Sequence, residues 1–125
     1  MQITDRQYEL VALADLTVET AGDITIDLPV NAMVTGVNYN VYTAATGTTP
    51  TLSMVDDLGS PNTYLSAVSI DAVANGVGAA AEIGNFYPTG TTLSFSTGGT
   101  TPAGGRILVA VKYVVLGRGN ENFGH

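Results

Sequence analysis

Asp23-Ile24-Thr25-Ile26-Asp27-Leu28-Pro29-Val30 decides the fold class. Ile24, Ile26 and Leu28 alternate with Asp23, Thr25 and Asp27, and a period of two is the signature of a strand with one dry face and one wet face. Pro29 cannot donate to a β-ladder, so the strand is expected to stop there or to lie on an edge. Working outward, Met33 to Thr43 alternates in the same way, with Val37, Tyr39 and Val41 set against Asn38, Asn40 and Tyr42. Gly36 inside this run predicts a bulge or a close backbone approach. Thr51 to Val55, Tyr64 to Ile70 and Thr91 to Thr97 read as further strands. Tyr8 to Ala14 is apolar on both parities and fits a buried strand or a short helix.

The stretches between these runs carry turn chemistry. Ala44 to Pro50 and Gly98 to Gly105 are rich in Thr and Gly and read as loops. Asp56 to Asn62 reads as a turn. Asp71 to Gly90 is long for a structureless loop, so a helical turn near Ala79 to Ile83 or a frayed strand is expected within it. Many short strands separated by turns predict an all-β fold, a single-domain antiparallel β-sandwich of jelly-roll type. Residues 1–125 are expected to form one domain, with an N-terminal arm over about 1–7 and a C-terminal tail over about 117–125.

Arg106 to Leu116 departs from the pattern. Ile107, Val109, Val111, Tyr113 and Val115 share one face, while Leu108, Ala110, Val114 and Leu116 share the other, interrupted only by Lys112. An outer strand of a sandwich should have one wet face. This one is expected to be covered on its second face, by another part of the chain or, the preferred reading, by another subunit. Phe86-Tyr87 next to Pro88 offers two aromatics beside a turn, read either as a cap on the core or as a contact loop.

Composition narrows the function classes. The 125 residues are 45% hydrophobic and 12% charged, which suits a chain with a real core rather than a disordered one. The net charge is −7, with four basic residues in all, Arg6, Arg106, Lys112 and Arg118. That leaves no basic patch for phosphates, so neither nucleic acid nor membrane is expected as a partner. There is no Cys, so no disulfide or thiolate metal site is expected. The N-terminus lacks the pattern of a signal peptide.

Chemistry is sparsely provided. The one His is His125, which makes a nucleophile–base pair hard to assemble. Gly76-Val77-Gly78-Ala79-Ala80-Ala81 fits the dinucleotide pattern G-x-G-x-x-A, but Gly84 to Pro88 would stop the helix that the motif needs. Asp56, Asp57 and Asp71 could offer oxygens to a cation, yet Asp56-Asp57-Leu58-Gly59 lacks the spacing of an EF-hand. A turn whose carboxylates bind local amides is the simpler expectation. The chain therefore reads as a non-enzyme without cofactor or metal.

The order of these segments resembles that of small tailed-bacteriophage virion proteins, in particular the capsid decoration, or cement, type. The stretches that carry the resemblance are Asp5-Arg6-Gln7-Tyr8, Ile24 to Pro29, Ala32 to Val37, the Thr/Gly-rich loop, Asp56-Asp57, Tyr64-Leu65 and Gly105 to Val114. The resemblance implies a homotrimer on the outer capsid surface of the virion. It would be made in the host cytoplasm and seated on the major capsid protein where shell subunits meet. Candidate subunit or capsid contacts are Arg6, Phe86, Tyr87, Leu108, Val114, Leu116, Arg118 and Phe123. Other expectations are a tail or head-fibre module, receptor-binding or not, and a carbohydrate-binding sandwich. Deleting Gly119 to His125 is expected to weaken attachment to the shell without unfolding the domain.

Overall fold

The alternating runs become strands in a computed structural model that describes residues 9–116. In chain order these are β1 (Leu10–Leu16), β2 (Thr25–Leu28), β3 (Ala32–Val55), β4 (Thr63–Ser69), β5 (Ala74–Val77), β6 (Phe86–Tyr87) and β7 (Thr91–Val115). Two single 3₁₀ turns, Ala21–Asp23 and Ala80–Glu82, are the only helical pieces among the described residues. The run before Asp15 is thus a strand, not a helix, and β2 ends at Leu28, ahead of Pro29. The segment from Asp71 to Gly90 holds β5, a 3₁₀ turn and β6. Arg6, Arg118, Phe123 and the expected arm and tail lie outside the described residues.

β3 and β7 are far longer than any run of alternation in the sequence. They pair antiparallel from Ala32 opposite Val115 to Val55 opposite Ser94, with four register shifts on the way. Shorter strands line this ribbon. β1 and β2 pair with the two ends of β7, while β6, β5 and β4 pair in turn along β3. One layer is therefore β1-β7-β3-β5, extended by β6. The other is β2-β7-β3-β4, built from the opposite halves of the same two long strands. Inward residues of both halves form one core, among them Leu16, Val34, Val41, Ile107 and Val109 from the first layer and Ile26, Leu52, Met54, Tyr64 and Leu93 from the second. The architecture is an antiparallel β-sandwich made by folding a ribbon on itself.

The stretches expected to be loops, Ala44 to Pro50 and Gly98 to Gly105, are the corner of that fold. Each belongs to a long strand and is the other's partner, with Thr48 opposite Thr100. Both contain Gly-Thr-Thr-Pro, at Gly47 to Pro50 and at Gly99 to Pro102, and the two copies take matching conformations. Gly47 and Gly99 have φ of 110° and 108°; Thr49 and Thr101 have φ of 47° and 46°. A Cβ on Gly47 would lie 2.7 Å from the Thr101 carbonyl oxygen, and one on Gly99 would lie 2.6 Å from that of Thr49. Glycine is therefore required twice by the close crossing as well as by backbone angle. A left-handed φ is unusual for a β-branched residue. Each such Thr hydroxyl donates to the preceding carbonyl at 2.8 Å, from Thr49 to Thr48 and from Thr101 to Thr100. Bulges and bends of this kind let strands pass from one layer to the other. The expected irregularity at Gly36 is present as a register shift, and there the Lys112 stem occupies the space a Cβ would need.

Candidate interaction surface

Register decides which side chains share a surface, because residues directly opposite on neighbouring strands point to the same face. On the outer side of the first layer, one row runs Leu13, Ala110, Asn38, Val77 across β1, β7, β3 and β5. A second row runs Asp15, Leu108, Asn40, Asn75, and a third runs Val11, Lys112, Gly36. Further along, Phe86, Met33 and Val114 stand side by side on β6, β3 and β7. With Leu116 and Asn31 they line an apolar hollow of about 380 Å³. Exposure is high for residues of this kind: Leu13 is 65% exposed, Val77 71% and Leu116 60%. Scattered exposed apolar side chains need no explanation, but the contiguous group of Met33, Phe86, Val114 and Leu116 marks a surface suited to a partner, and the rows beside it set Leu13, Ala110, Val77, Leu108 and Val11 among Asn38, Asn40, Asn75, Asp15 and Lys112.

Lys112 stands in the third row of this face, and an ion pair stands at the other end. Arg106 Nη2 donates to Asp15 Oδ2 at 2.8 Å, and the Tyr42 hydroxyl donates to Asp15 Oδ1 at 2.8 Å. The guanidinium also lies 5.4 Å from the centre of the Tyr42 ring, within cation–π range. The bond from Arg106, then that from Tyr42, holds the Asp15 carboxyl below its ordinary range.

The outer side of the second layer is different. Thr25 lies opposite Ser94, Asp27 opposite Thr92, Ser96 opposite Ser53, and Thr51 opposite Ser69. Thr92 Oγ1 donates to Asp27 Oδ1 at 2.9 Å, and Ser53 Oγ accepts from the Ala67 amide at 2.9 Å. Short hydroxyl side chains dominate this face.

A buried polar chain closes one end of the sandwich. The Tyr87 hydroxyl donates to Asp56 Oδ2 at 2.8 Å. Having spent its proton there, it accepts from Tyr64, and Tyr64 accepts from Asn85 Nδ2 at 3.4 Å. Asp56 also accepts from the amides of Leu58 and Asn62 and from Asn62 Nδ2. Burial pushes the Asp56 carboxyl up, but the bonds from Tyr87 and Asn62, with that from Leu58, outweigh it and hold it below its ordinary range. Burial, more than any other cause, raises the hydroxyls of Tyr64 and Tyr87. The turn-forming role expected of Asp56 is thus seen directly. Asp57 accepts from Thr91 Oγ1, and Asp71 from Ser69 Oγ. Among the described residues no three of His, Cys, Asp and Glu stand close enough to hold a metal ion.

The Gly76 to Ala81 motif has a packing explanation. Gly76 lies under the Tyr39 ring, and Gly78 lies against Val37 and the Tyr64 carbonyl, both too close for a Cβ. Among the described residues no parallel strand precedes it, since β4 before it and β5 that begins it both pair antiparallel with β3.

Of the eight contact candidates, Phe86, Leu108, Val114 and Leu116 lie on the apolar face. Tyr87 is a correction: at 3% exposure it belongs to the core, its hydroxyl taken up by Asp56 and Tyr64. Adjacent strand residues point to opposite faces, so only one of the Phe86-Tyr87 pair could face outward. Val11, Leu13, Met33 and Val77 join the face unannounced. The two-sided apolar run before Ala14 held the signal for Val11 and Leu13, whereas nothing around Val77 distinguished it. Comparison with protein-family models, curated proteins and solved structures finds no match for this chain.

Proposed function

We propose that this chain is a structural virion protein of a tailed phage. It would be a capsid decoration protein that sits as an oligomer on the outside of the shell, at subunit junctions, and stabilises it. The observation that supports this reading is the apolar outer face of the first layer, set against a hydroxyl-rich face on the second. A sandwich that binds by one broad face presents apolar rows where it meets protein and short polar side chains where it meets water. The resemblance to decoration proteins supplies the partner, the major capsid protein, and the homotrimer. Many weak contacts multiplied by valency suit such a brace.

The test is size-exclusion chromatography with light scattering, run on the protein alone and then with undecorated capsids. Co-elution with capsids at hundreds of copies per particle is the expected result. A few to tens of copies would move the assignment to a tail or head-fibre module, and a protein that ignores capsids would overturn it. A second reading, a carbohydrate-binding sandwich, is favoured by the shallow hollow of about 310 Å³ that Asn38, Asn40 and Asn75 share with Leu108 and Val77. Carboxamides both donate and accept, as sugar hydroxyls require. Sugar-dependent thermal stabilisation would support it.

A further inference from the structure

Among the described residues the first layer ends in two open edges, the seven-residue β1 and the four-residue β5. Among the described residues β1 pairs only with β7, and β5 only with β3. Neither strand contains Pro or Lys, neither has a register shift against its partner, and neither points a charge into the core. Exposed backbone of this kind is a template for another strand. Each edge is also flanked by exposed apolar side chains on the same outer face. Leu13 ends the cross-strand row at β1, and Val77 ends it at β5.

Direction and charge identify the occupant. The layer alternates strictly, so with four strands β1 and β5 run in opposite directions. A second copy added side by side in the same orientation therefore places its β5 antiparallel to the first copy's β1. The ladder continues without a break in pattern, and the row Leu13-Ala110-Asn38-Val77 runs from one copy into the next. Pairing β1 with β1 is less favourable. It brings Glu9 and Asp15 of both copies to one seam, with only the Arg106 on each Asp15 to offset them, between chains that each carry −7, whereas β5 and its flanks from Ala72 to Ala79 carry no charge. Like charges across a strand pair are destabilising.

We infer that copies of this chain associate edge to edge, β1 of one against β5 of the next. The contact is heterologous and closes into a ring, with the apolar outer faces turned toward the axis and the Ser/Thr faces toward water. This rests on the oligomeric part of the proposed function, but not on the capsid as partner.

The natural absence of Cys makes the test clean. Leu13→Cys and Val77→Cys are prepared separately, mixed, and treated with a short bismaleimide. Both sites are exposed, so folding is retained, as a circular dichroism melt will verify. The expected result is cross-linked dimer in the mixture and little in either variant alone. Cross-linking of Leu13→Cys or of Val77→Cys by itself would establish a two-fold β1 or β5 contact and overturn the inference, as would no cross-linking in any arm. In parallel, Leu13→Lys and Val77→Lys are each expected to reduce the native mass by light scattering to that of one chain. A wild type that is already monomeric, or variants that keep its mass, would also overturn it. Capsid binding is scored independently. A monomer that binds capsids would sink the ring and leave the decoration reading standing, and a ring that passes capsids by would do the reverse.

Discussion

The two halves of β7 make the same ladder with the same partner strand and have opposite surfaces. From Thr91 to Thr97 its outward residues are Thr92, Ser94 and Ser96, over an inward Leu93 and Phe95. From Arg106 to Val115 its outward residues include Leu108, Ala110 and Val114, over an inward Ile107, Val109 and Val111. Inward residues are apolar in both halves because both halves build one core. The outward residues are free of that demand, so they report what each face meets. Hydroxyls on one half suit water, and aliphatics on the other suit the protein partner proposed above.

The corner between the halves offers the largest test. Gly47→Ala and Gly99→Ala each place a Cβ against backbone at a positive φ, and should each destabilise the fold by about 2–4 kcal/mol. Chemical denaturation will measure it. Because the corner is locally two-fold, the two losses should be similar, and a large inequality would break that symmetry.

The buried polar chain comes next. Tyr87→Phe leaves the Asp56 carboxylate and the Tyr64 hydroxyl each short of a partner, a loss of about 1–3 kcal/mol in the same measurement. The acid dependence follows from the depressed Asp56 carboxyl. Its contribution is complete above the unfolded carboxyl range, near pH 4, and is lost as pH falls through the lower folded value. Thermal melts between pH 6 and pH 2.5 should show this loss in the wild type. Asp56→Asn should be less stable at neutral pH and show a shallower decline. An identical decline would assign the acid sensitivity to other carboxylates.

The smallest effect on the isolated fold separates the two faces most sharply. Leu108→Ser and Ser96→Leu exchange the characters of the two outward surfaces, and each should change monomer stability by about 0.5 kcal/mol or less. Native mass by light scattering should nevertheless fall for Leu108→Ser and stay unchanged, or rise, for Ser96→Leu. Equal behaviour of the pair would remove the distinction between the faces.

Local pattern was enough for part of this. Thr25 to Leu28, Val37 to Val41 and Ile107 to Val111 announce their strands because side chains alternate across a sheet with a period of two, which is a property of neighbours in sequence. The same logic marked Leu108, Val114 and Leu116 as in need of cover, and marked Asp56 as a turn residue. It failed at Ala44 to Pro50 and Gly98 to Gly105, where Thr, Gly and Pro signal loops. Those stretches are strand because each finds its partner some fifty positions away, and the paired Gly-Thr-Thr-Pro motifs were the one trace of it.

Amino-acid sequence by itself determined the all-β class, the inward faces and the lack of a basic surface, since these follow from composition and short-range period. Only the tertiary structure decided that two long strands fold over a symmetric corner, that Tyr87 turns inward while Phe86 turns out, and that Leu13 and Val77 end one row. Those outcomes depend on register between distant strands, and a shift of one residue would have sent every side chain to the other face.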